Sequence, residues 1–136
     1  MSVVSQVISL EPKGGLNFGN YKSAEKLKSD DFDVNGDIYK VKTHSEITRI
    51  EKNSMLLYES VPGTAVSRFT LNEKECAFSI EGFENTQITM ELEPEKEYRI
   101  FIDDVNVGTT KSNRSSKLNF SVELSESPKD IRIEKI

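Results

Sequence analysis

The chain has 136 residues, 35% hydrophobic and 30% charged, with a formal net charge of −5. That length suits one domain with its own core, and the acidic balance argues against nucleic acid and anionic membrane surfaces as partners. No run approaches the roughly 18 apolar residues that span a bilayer, and the single cysteine, Cys76, cannot form an internal disulfide.

The N-terminus, Met1-Ser2-Val3-Val4-Ser5-Gln6-Val7, has no basic region followed by an apolar one, so it does not read as a secretory signal. The expectation is a cytoplasmic protein of a prokaryote or phage. Gly14-Gly15-Leu16-Asn17-Phe18-Gly19 is not followed by a helix, and its glycines mark a loop or a bulge rather than a phosphate cradle. Ser23–Ser29 has room for one helical turn at most. Next comes Asn35-Gly36 between two alternating runs, the strongest short hairpin signal, because both central residues must accept positive φ. Thr43–Ile50 fits more than one element type. Met55-Leu56-Leu57-Tyr58 is apolar on both faces, which places it centrally in a sheet or at an interface.

Further along, period-two alternation dominates. Cys76, Phe78 and Ile80 share one face of a strand; so do Ile88, Met90 and Leu92. Tyr98, Ile100 and Ile102 form a third such face, and Leu118, Phe120, Val122 and Leu124 a fourth. Ile131 and Ile133 close the chain. Pro62-Gly63, Asn72-Glu73-Lys74, Glu93-Pro94-Glu95-Lys96, Asp103–Gly108 and Asn113–Ser116 read as turns. Antiparallel strands with one wet face read this way. The expected fold is therefore all-β, an antiparallel two-sheet β-sandwich of immunoglobulin-like or jelly-roll-like form. Residues 1–136 form a single domain, since no linker or repeat divides them. Residues 93–124 make a three-stranded unit too small to bury a core alone.

Few residues point to chemistry. His44 is the only histidine, so any hydrolytic triad must use it, and neither it nor Cys76 lies in a nucleophile motif. Cys76 opens an apolar run, where a thiol behaves as a small hydrophobe. Asp31, Asp33, Asn35 and Gly36 match the opening of a helix-loop-helix calcium loop, but the twelfth position is Lys42 instead of glutamate. The hairpin explains the same residues, so calcium is a weak candidate. Tyr21, Tyr39, Tyr58 and Phe101 are the aromatic residues to consider as a sugar platform. Phe101 faces away from Tyr98, Ile100 and Ile102, and with Leu57 it exceeds what one core needs. Lys40, Lys42, Arg132 and Lys135 are candidates for the charges that blunt edge strands. If they lie on central strands instead, an edge is left for a partner.

Two resemblances add to this reading. Leu92-Glu93-Pro94, Tyr98–Asp103, Gly108 and Lys117–Leu124 resemble the last strands of the accessory β-sandwich modules attached to bacterial polysaccharide-degrading enzymes. That resemblance implies a sandwich and no activity. Gly14–Tyr21, Asp33–Thr43 and Tyr58–Val66 are similar to a group of small β proteins from gut Clostridia, some labelled as an endosialidase chain. It carries over no catalytic residue. The expected function is a non-catalytic interaction module that assembles with itself or another protein. The alternatives are a carbohydrate-binding module, calcium-assisted through Asp31 and Asp33, and a small glycosidase using two of the 23 acids.

Overall fold

The computed structural model describes residues 7–136, so Met1–Gln6 of the N-terminal run read above lie outside it. In chain order the strands are β1 (Ile8–Leu10), β2 (Leu16–Phe18), β3 (Leu27–Val34), β4 (Asp37–His44), β5 (Ile47–Lys52), β6 (Met55–Val61) and β7 (Ala65–Leu71). There follow β8 (Glu75–Glu81), β9 (Thr86–Glu91), β10 (Glu97–Ile102), β11 (Val105–Lys111), β12 (Lys117–Val122) and β13 (Lys129–Lys135). They make a seven-stranded sheet, β1-β2-β7-β8-β13-β10-β11, and a six-stranded sheet, β12-β9-β6-β5-β4-β3. The fold is an all-β sandwich, and the strand pairs in both sheets are antiparallel.

The inner faces are those the alternation marked. Cys76, Phe78, Ile80, Ile88, Met90, Tyr98, Ile100, Leu118, Val122, Ile131 and Ile133 are all buried. Phe18, Tyr58, Phe69 and Phe78 fill the centre with edge-on and stacked ring contacts. Residues 93–124 are not a unit: β10 and β11 belong to one sheet and β12 to the other. No helix among the described residues is long and apolar enough to cross a membrane.

Tight turns set the register. Asn35 and Gly36, with φ of 53° and 92°, close the β3–β4 hairpin in the left-handed conformation that Asn-Gly favours. Asn53-Ser54 and Asp103-Asp104 do the same without glycine, at φ of 50° and 69°, and of 50° and 64°. Thr43–Ile50 resolves into the β4–β5 hairpin around Ser45-Glu46.

Bulges explain departures from strict alternation. Ile50 pairs with Tyr58 and Glu51 with Leu56, so Leu57 is an extra residue on β6. It consequently turns to the same side as Tyr58, and both are buried. Leu57 is therefore core, not surplus apolar surface.

A polar cluster holds the corner where β6 leaves one sheet and β7 enters the other. Thr43, Thr48, Ser60 and Thr64 are fully buried. The Thr48 hydroxyl donates to the Thr64 carbonyl at 2.8 Å and accepts the Thr64 N–H at 3.0 Å. It also shares a 2.7 Å bond with Thr43, whose oxygen accepts the Asn20 N–H. The Thr64 hydroxyl bonds in turn with Tyr58 and Ser60. Every buried side-chain polar atom among the described residues has a partner. Thr48→Val keeps the shape but leaves both backbone groups of Thr64 short of a partner. It is expected to lower unfolding stability by about 1–3 kcal/mol, read as a shift of the urea midpoint at unchanged slope.

Candidate interaction site

Among the described residues the sandwich has four edge strands: β1 and β11 on one sheet, β3 and β12 on the other. The outer side of each presents N–H and C=O groups without a neighbour, a template for a further strand unless it is blunted. The four differ in how far they are blunted. Strand β1 is only three residues long. Strand β3 bears Lys28, Asp30, Asp31 and Asp33 and is bent by a bulge between Ser29 and Phe32. Strand β12 begins with Lys117, paired to Glu91 at 2.7 Å. Strand β11 has a bulge too, at Val107, and ends on Lys111, but its run from Val105 to Thr110 carries no charge.

The four cations expected to blunt edges sit elsewhere. Lys40 and Lys42 lie on β4, inside the β3–β5 pair, and Arg132 and Lys135 lie on β13, between β8 and β10. An edge is therefore left available.

Register shows which way β11 faces. Val105 pairs with Ile102, and Ile102 shares the inward face of β10 with Tyr98 and Ile100. Val105 and Val107 are nevertheless 61% and 55% exposed. Together with Ile100, Ile102 and Phe120 they line an open cleft of about 660 Å³ at the seam between β11 and β12. Asp103, Glu123 and Lys129 complete its rim. An apolar floor with a polar rim, beside a free uncharged edge, is suited to an added polypeptide strand.

The residues singled out from sequence are distributed differently. Tyr21 and Tyr58 are fully buried and Tyr39 is 9% exposed, because their strands and loops turn them inward. Tyr21 donates to Glu81 at 2.8 Å and packs edge-on against Phe83. Phe101 is half-buried on the outer face of the other sheet, where the Arg132 guanidinium lies 4.2 Å from its ring centroid. Arg132 is held there by Asp104 and Glu134 at 2.8 and 2.9 Å. The outward Phe101 is thus covered within the chain, and the four aromatic residues share no common surface.

Asp33 accepts the Gly36 N–H at 2.9 Å, capping the hairpin that Asn35 turns, while Asp31 occupies the β3 bulge at φ of 61°. Among the described residues no three His, Cys, Asp or Glu side chains gather as a metal site needs. His44 ends β4 in one sheet and Cys76 is buried on β8 in the other. A second cleft, about 630 Å³, contains Glu73, Glu75, Glu91 and Glu93. Glu93 bonds Lys135 at 2.7 Å, which holds its carboxyl below the usual range, the wrong direction for a general acid.

A scan against protein-family models, a search of curated proteins and a search of solved structures each find no match.

Sequence reading missed strand β11, as it did β1 and β7. Asp103–Gly108 reads as an acidic turn, but only Asp103-Asp104 turns, and the strand begins at Val105. The available signal was β-branched spacing: Val105, Val107, Thr109 and Thr110 follow two acids that tolerate positive φ.

Burial raises the Cys76 thiol well above its usual range, with a smaller contribution from Glu75. Burial likewise raises the Tyr58 and Tyr21 phenols, the latter aided by Glu81. A raised folded-state pKa gives stability that is full below the unfolded value and lost as pH rises toward the folded one. Stability is therefore expected to fall as pH climbs through and above the ordinary phenol range. In a 295 nm alkaline titration, Tyr21 and Tyr58 should ionise only on unfolding, and Cys76 should react with a thiol reagent only then. Rapid labelling of the folded protein at neutral pH would contradict this placement.

Proposed function

We propose that this domain is a non-catalytic interaction module whose working surface is the β11–β12 seam, taking a second copy of the chain or another protein. The single observation that supports this reading is the β11 edge, uncharged from Val105 to Thr110, beside the cleft containing Val105, Val107 and Phe120. Its counterparts at the other seam are a three-residue strand and a strand carrying four charges. Proteins blunt edges they do not use, so the edge with the longest uncharged run is the candidate for use.

Static light scattering after size exclusion, from low micromolar to several hundred micromolar, tests the reading. Assembly is expected to raise the molar mass above the 15.4 kDa of one chain. The double variant Val105→Lys, Val107→Lys should return it to that of one chain without loss of folded structure. An assembly that this variant leaves intact, or clear turnover of a polysaccharide, overturns the reading. A strict monomer narrows it to a partner of different sequence.

A further inference from the structure

Charge at the two ends of β11 selects among occupants of the seam. The uncharged run from Val105 to Thr110 is bounded by the Asp103-Asp104 turn at one end and by Lys111 at the other. Lys111 is exposed and makes no ion pair among the described residues. A strand with a negative start, a neutral middle and a positive end is complementary to itself run backwards. We infer that β11 pairs antiparallel with β11 of a second copy, with the two-fold axis beside Val107 and each Lys111 against the other copy's Asp103, since Asp104 is already paired to Arg132. The inference rests on the reading of the seam proposed above and commits it to one partner.

The pairing satisfies several physical requirements at once. A two-fold axis makes the contact isologous and closed, so it yields a dimer and not a filament. Antiparallel addition supplies partners to the outward N–H and C=O groups of both copies of β11 and joins two seven-stranded sheets into one. Val107 then meets Val107 of the other copy across the join, and Val105 lies opposite Thr109. The neutral middle puts no like charges opposite each other, which a strand such as β3, with Asp30, Asp31 and Asp33, does not avoid. Parallel self-pairing sets Lys111 beside Lys111 and loses the complementarity.

Cross-linking tests this directly. Antiparallel neighbours at a two-fold axis bring equivalent Cα atoms within about 4.5–5.5 Å, close enough for a disulfide. Cys76 is buried and does not compete. Val107→Cys is expected to form a covalent dimer under mild oxidation, at a rate that grows with concentration. Lys28→Cys, on the β3 edge, should remain a monomer. Lys111→Glu should raise the dimer dissociation constant roughly tenfold, since two symmetric ion pairs become repulsive, and added salt should weaken the wild-type dimer. A monomer at every concentration overturns the second-copy inference while leaving the seam to another chain. An oligomer that Val107→Cys does not trap overturns this pairing. The lysine double variant then tells whether the seam takes part at all.

Discussion

The constraint on which the structure depends is that backbone hydrogen-bonding groups must be satisfied or left to water. An open sandwich meets it everywhere except along its outermost strands. Here the two sheets have seven and six strands, which leaves four edges to manage. Length manages β1, charge and a bulge manage β3, and the Lys117–Glu91 pair stands at the start of β12. Strand β11 has the longest uncharged run of the four, Val105–Thr110, and its two inward-facing valines lie open to the seam. The proposed function is a consequence of that imbalance and not of any reactive group.

Reactive groups are conspicuous for being occupied. Glu81 accepts from Tyr21, Glu91 and Glu93 pair with lysines, and Asp33 caps a hairpin. Arg132 both covers Phe101 and bonds Asp104 and Glu134. The densest polar constellation, around Thr48 and Thr64, is sealed in the interior and fully satisfied. Its work is to fix the passage of the chain between sheets. Glycine is needed beside it at position 63, where a Cβ would collide with the His44 carbonyl. Polar groups arranged in this way hold a corner.

Much of the fold was legible in the residues. Alternation at Cys76–Ile80, Ile88–Leu92, Tyr98–Ile102 and Leu118–Leu124 marked inner faces correctly, because the inner side of each strand is packed; on β8 the outer side is covered as well at Ser79 and Glu81. Asn35-Gly36 marked its hairpin because its backbone demand is local. Local patterns do not carry bulges, which depend on the neighbouring strand's register. For that reason Leu57 reads as surplus when it is core. Nor do they say which strand lies at an edge. Lys40 and Arg132 look like edge charges on their own strands, but both strands are flanked on each side. The seam was hidden for a further reason: Val105 and Val107 follow two aspartates and precede Gly108, a composition that resembles a loop.

Residue-resolved amide hydrogen exchange is the most direct test of the central claim, because it reads the edge hydrogen bonds themselves. At low concentration the outward amides of β11 should exchange as a free edge does. As concentration rises, protection should grow along Val105–Lys111 and stay unchanged along β3. Exchange in β11 that remains fast and independent of concentration would contradict self-pairing at this edge.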